Sequence, residues 1–148
     1  MKRLRRNRER AVLFSRTRVR VRFSETDAMG VVWHGNYAKF FEDGRENFGR
    51  EYGISYLQVL GAGYTVPVVE LTCSYRKSLT FGEEIIVETG YVPSEAAKIQ
   101  LVYALYRASD NELMASGTTV QVFLDKDGQL QLTAPDFYRE WKRKWNII

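Results

Sequence analysis

The chain has 148 residues, 45% of them hydrophobic and 14% aromatic, enough to enclose one core and too apolar for a disordered chain. No run of about 18 or more apolar residues occurs, so no helical membrane span is expected. The net charge of +4 has one source: residues 1–10 carry six basic side chains against Glu9, leaving 16 basic and 17 acidic residues elsewhere, a balance of −1.

That basic run predicts a flexible tail over residues 1–11, able to touch an acidic carrier protein, an anionic lipid surface or nucleic acid. Without interleaved aromatics, no nucleic-acid role is expected. An arginine-rich, acid-poor start is one mark of an organellar transit peptide, but serine is scarce there, and no apolar stretch follows to make a secretory signal. The single Cys73 and single His34 exclude an intrachain disulfide and leave no cysteine set for zinc, so no metal site is expected. The expectation is a cytoplasmic, metal-free protein with one domain over residues 12–148.

In chain order, Thr17 to Phe23 alternates strictly, with Val19, Val21 and Phe23 on one face and Arg18, Arg20 and Arg22 on the wet side, as a half-buried strand does. From Asn36 to about Tyr52 the spacing becomes helical, with Tyr37, Phe40, Phe41, Phe48 and Tyr52 on the apolar side. Asn36 is a candidate N-cap and Gly53 a candidate stop. Gly44 and Gly49 each weaken that helix by about 1 kcal/mol relative to alanine, which points to packing, with a sheet close by, as what holds it. A short helical turn and loop follows from Ile54 to Gly63. Four strands are then expected, at Val66 to Lys77, Glu84 to Tyr91, Lys98 to Ala108 and Leu113 to Leu124, punctuated by Phe81-Gly82, Pro93-Ser94, Asp110-Asn111 and Asp127-Gly128. A short last strand around Gln129–Leu132 and a helix from Pro135 complete the chain. One antiparallel sheet facing one amphipathic helix is an α+β layer arrangement.

The stretch from Phe23 to Glu42, FSETDAMGVVWHGNYAKFFE, concentrates the chemistry. Asp27 precedes a turn-prone Ala28-Met29-Gly30, and His34 and Gly35 stand just before the long helix. A carboxylate near a helix start can act as base or nucleophile, and the unpaired N–H groups of the first turn can hold a developing oxyanion. The structural alternatives are ordinary: an aspartate before a glycine turn often bonds its own backbone, and a lone histidine is often only packed.

The string in one register resembles the signature of hotdog-fold acyl-CoA thioesterases of the 4-hydroxybenzoyl-CoA thioesterase type, roughly Asp-x-x-Gly-Val-Val-aromatic-x-x-Asn-Tyr. The resemblance covers about Arg18 to Leu124 and implies a hotdog fold, one antiparallel sheet wrapped around a long central helix. It implies hydrolysis of a small, medium-chain or aromatic acyl-CoA, with coenzyme A as part of the substrate and no cofactor. Asp27 would be base or nucleophile, and the amides around His34 and Gly35 would polarise the carbonyl. The His34 imidazole could orient Asp27 or assist proton transfer. Asn36, Ser78, Arg76, Lys77 and Lys98 are candidate substrate-binding residues, the last three toward coenzyme A phosphates; strand-end charges explain those three equally well. Many relatives carry a tyrosine four residues before the acid, where this chain has Phe23, so a tyrosine-assisted mechanism is in doubt. Tyr37, Phe40, Phe41 and Tyr64 suit an aromatic acyl group or an ordinary core. The resemblance further implies a homodimer as the minimal active unit, with a homotetramer by pairing of dimers as the alternative, and Asp27 of one subunit beside groups such as Ser78 or Lys98 of the other. The alternatives are a non-catalytic hotdog module that holds acyl-CoA or acyl carrier protein and, more remotely, a hotdog dehydratase.

Overall fold

The computed structural model describes residues 2–147. In chain order these form α1 (Lys2–Arg10), β1 (Val12–Arg20), α2 (Tyr37–Tyr52), α3 (Tyr56–Gly61), β2 (Val68–Tyr75), β3 (Glu84–Val92), β4 (Lys98–Arg107), β5 (Leu113–Val122) and α4 (Asp136–Lys144), with 3-10 turns at Phe23–Glu25 and His34–Asn36. The strands make one antiparallel sheet in the order β1-β3-β4-β5-β2. The sheet lies against α2 in the hotdog arrangement. The helix sits close because glycines on both sides allow it. A Cβ on Gly44 of α2 would stand 2.5 Å from Thr89 Oγ1 and 2.6 Å from Val87 Cγ1 on β3, and one on Gly117 of β5 would run into the Phe41 ring. Phe41 stacks on Tyr103 of β4 at 4.6 Å between ring centroids, and Phe40, Phe41 and Phe48 are fully buried with Ile85, Val87, Leu101 and Leu105.

The helix ends at Gly53, whose left-handed φ of 76° suits glycine. The indole N–H groups of Trp141 and Trp145 both donate to Tyr52 O, at 2.7 and 2.9 Å, pairing a carbonyl that a helix C-terminus leaves open. This is what the C-terminal aromatics do: α4, opened by Pro135, packs back onto the domain. The Tyr91 and Tyr138 hydroxyls pair in its shadow, and Tyr138 also donates to Lys98 O at 2.7 Å. Burial pushes the Tyr91 hydroxyl up to about 12.

Several sequence expectations are corrected. Residues Lys2–Arg10 form a helix where a flexible tail was expected. It lies over the outer face of the sheet, where Asn7 is buried, Arg8 stands 2.5 Å from Glu88 and its guanidinium lies 5.9 Å from the Phe14 ring centre. The first strand runs earlier than the alternation suggested, Val12–Arg20, and Phe23 opens a 3-10 turn with its ring exposed. No strand forms around Gln129–Leu132; only Leu130 bridges Leu124, and Leu130 and Leu132 are exposed, so no buried face sets a register there. No helix among the described residues is long and apolar enough to cross a membrane.

Candidate active site

Residues 26–32 fold into a small hairpin. Asp27 N–H donates to Val31 O at 2.8 Å, Gly30 N–H donates to Asp27 O at 3.0 Å, and Thr26 pairs antiparallel with Val32. Gly30 has φ 79°, the left-handed residue that a three-residue hairpin loop with a bulge requires. Asp27 Oδ1 accepts the Met29 N–H at 2.8 Å. The turn role is therefore real, and it fixes one carboxylate oxygen while the other has no hydrogen bond among the described residues.

The second arm of the hairpin lies against the segment after β2. Val31 bridges Thr80 and Val32 N–H donates to Leu79 O at 2.8 Å. That pairing carries Ser78 to the hairpin and makes one chain contribute both Asp27 and Ser78 to the same cleft. The cleft encloses about 270 Å³ and is lined by Asp27, His34, Tyr37, Tyr75, Arg76, Lys77 and Ser78, with Val31 and Val32. Asp27 is half-buried, whereas His34 is exposed.

The chain then enters α2 through the 3-10 turn His34–Asn36. Its first internal bond is Asn36 N–H to Trp33 O at 2.9 Å, so the N–H groups of His34 and Gly35 precede any carbonyl of the turn that could take them. They sit at the positive end of the 16-residue α2. Asn36 was expected to cap this helix, but its side chain makes no cap bond. It donates instead to Glu25 O at 2.9 Å, and Trp33 N–H reaches the same carbonyl at 3.0 Å. Asn36 thus ties the helix start to the preceding turn and does not line the cleft. Gly35 is overlaid by the Trp33 ring, which a Cβ would strike.

Tyr75 is the residue that sequence reasoning passed over. Its hydroxyl donates to His34 O at 3.0 Å, clamping the end of β2 to the first turn before α2, and its ring meets Tyr37 edge-on at 4.9 Å. Alternation placed it on a strand, but no local signal showed what lay across from it. Tyr75 is exposed as a whole, but partial desolvation of its hydroxyl, reinforced by nearby Cys73, raises it. Burial also raises Tyr37, against an opposing hydrogen bond from the Leu79 backbone, so both hydroxyls stay protonated at neutral pH and remain donors.

Lys98 lies away from its own chain's cleft, and the expectation placed it there only from the other subunit. It pairs with Val122 at one end of β5, while Tyr75 pairs with Ala115 near the other, a separation of roughly 24 Å along the strand. Lys77 does line the cleft, in an ion pair with Glu112 at 2.6 Å. Phe40 and Phe41 are core, and Tyr64 packs on Phe137 and Phe123; of the four aromatics considered for an acyl pocket, only Tyr37 lines the cleft.

This geometry has counterparts. Residues 21–142 match the model of the thioesterase-like superfamily. The Bacillus subtilis protein YneP, provisionally named an acyl-CoA thioesterase, is 30% identical over 133 residues, covering 87% of this chain and 96% of that one. A DHNA-CoA thioesterase from Staphylococcus aureus superposes with a TM-score of 0.82 at 27% identity, covering 91% and 90% of the two chains. A 4-hydroxybenzoyl-CoA thioesterase superposes at 0.76 over 88% of this chain and 99% of its own, and its 20% identity speaks to the fold alone. With its hotdog sheet, its long central helix and 122 consecutive residues matched, the chain belongs to the thioesterase-like superfamily.

Proposed function

We propose that the protein is an acyl-CoA thioesterase that hydrolyses a small, medium-chain or aromatic acyl thioester to the free acid and coenzyme A. The observation that carries this reading is one cleft lined by Asp27, His34 and Ser78 in a chain of this superfamily. The thioester carbonyl oxygen takes the N–H groups of His34 and Gly35, where the positive end of α2 stabilises the oxyanion. Asp27 either takes a proton from the attacking water or adds directly to the carbonyl carbon and is released by water. In both cases the C–S bond breaks, the thiolate leaves and is protonated. Met29 N–H and the hairpin hold Asp27 in place, and Tyr75 holds the first turn. A panel of acyl-CoA thioesters assayed for free thiol tests this: turnover of at least one is expected, and no release from any acyl-CoA would leave the non-catalytic binding module.

The homodimer forms through β2. The two sheet edges differ: β1 carries Arg16, Arg18 and Arg20 paired to Glu88 and Glu84 and a register shift between Val12 and Ser15, features that discourage edge pairing. β2 exposes Val68, Val69, Leu71 and Tyr75, an edge that invites it. The cleft opens at the Tyr75 end of β2, so a second subunit on that edge borders the site.

A further inference from the structure

The basic N-terminal helix has a place in the fold that the thioesterase reading does not use. α1 lies over the outer face of the sheet and leaves a cavity of about 200 Å³ between them, lined by Arg5, Arg8, Arg76, Val102, Tyr106 and Ser116. Arg76 also lines the Asp27 cleft, so it stands where the two concavities meet. The three guanidinium groups are not equally committed. Arg8 is held by the buried Glu88, which Arg16 also pairs at 2.7 Å. Among the described residues Arg5 pairs only with its helix neighbour Glu9, at 3.4 Å with both side chains exposed, an arrangement that contributes little and yields readily to a stronger anion. Arg76 has no ion pair among the described residues. Two available forks therefore face a small apolar-floored hollow beside the reactive cleft.

We propose that Arg5 and Arg76 hold the phosphates of the coenzyme A thioester, with α1 pinned in position by the Arg8–Glu88 pair. This inference rests on the acyl-CoA reading and identifies where the anionic end of that substrate lies. Guanidinium forks suit phosphate oxygens in two-point geometry. A concave hollow of this size fits a compact phosphate group, whereas docking of an acidic carrier protein needs a broad surface.

The test compares one acyl group presented on coenzyme A, on pantetheine without the nucleotide, and on acyl carrier protein, with wild type and Arg5→Ser. Arg5 is exposed, and an unchanged melting temperature checks that the variant folds. Removing one charge-assisted contact raises KM for the acyl-CoA by about tenfold, leaves kcat within about twofold, and leaves the pantetheine thioester unaffected; added salt shrinks the difference. Arg76→Ser raises KM for acyl-CoA in the same direction. An unchanged KM for acyl-CoA in Arg5→Ser, equal losses on coenzyme A and pantetheine thioesters, or a loss confined to acyl carrier protein overturns the proposal, the last in favour of carrier docking. Should wild type hydrolyse no thioester, the thioesterase reading falls, and calorimetry with adenosine 3′,5′-bisphosphate decides this inference separately. Binding weakened by Arg5→Ser sustains the phosphate site, and no binding to wild type overturns it.

Discussion

Replacing Gly44 by alanine sets two effects of opposite sign against each other. Alanine improves intrinsic helicity by about 1 kcal/mol. Its Cβ, however, would lie 2.5 Å from Thr89 Oγ1 and 2.6 Å from Val87 Cγ1, so each neighbour must retreat by nearly an ångström. Both are β-branched with restricted χ1 and both are fully buried, so the strain falls on the distance between α2 and β3. Overpacking costs about 1–3 kcal/mol; with two buried neighbours struck at once the upper part of that range, about 2–3 kcal/mol, applies, and the net effect expected is a loss of about 1–2 kcal/mol. In a domain of this size that lowers Tm by roughly 3–6 °C. The matched control is Gly61→Ala at the end of α3, where nothing lies within 4 Å and φ is not left-handed. There the reduced freedom of the unfolded chain should add about 0.4–1 kcal/mol. Thermal melts followed by circular dichroism, with urea curves of unchanged m-value, read both. Gly44→Ala at or above the wild-type Tm would refute close packing as the reason for glycine in this helix.

His34→Ala keeps the backbone N–H and removes an exposed ring, so kcat should fall less than about tenfold; a loss equal to that of an Asp27 variant would make the imidazole essential. Hydrogen bonds from the Arg107 side chain and the Glu112 backbone hold the Asp110 carboxyl down to about 2. Because the folded value is depressed, this pair's contribution is present above the ordinary aspartate range and is lost as pH falls toward 2. An NMR titration should place the Asp110 midpoint near 2 and return it toward about 3.9 in Arg107→Ala. Leu71→Lys puts a charge on the exposed β2 edge; if the proposed homodimer forms there, wild type should sediment as a dimer and the variant as a monomer at unchanged fold, and a persistent dimer would place the interface elsewhere.

The helix, its glycine stop and the four later strands were legible because burial imposes periodicity, and the structure finds all of them within a few residues. The Phe23 to Glu42 string stood out as a candidate site because its residue types and spacing are unusual together, and the structure gathers its Asp27 and His34 in one cleft. Features defined by partners distant in sequence were not. Tyr75 clamps a carbonyl 41 positions away, and Ser78 joins Asp27 through the pairing of residues 31–32 with 79–80. The helix over Lys2–Arg10 is stabilised by an ion pair to Glu88, so composition alone read it as a tail. Charge alone did not show where Lys98 lies in its own chain, and strand register places it at the far end of the sheet from that chain's cleft.

The Asp27 carboxylate is proposed to perform the chemistry in the cleft it shares with His34 and Ser78. Asn at this position keeps the size and an oxygen able to accept the Met29 N–H bond, so Asp27→Asn should fold as wild type and retain substrate binding. Single-turnover release of free thiol from an acyl-CoA that the wild type hydrolyses isolates the chemical step. A fall of roughly two orders of magnitude or more in that rate is expected, with wild-type thermal stability. A well-folded, homogeneous Asp27→Asn protein that releases thiol at near wild-type rate would contradict this proposal.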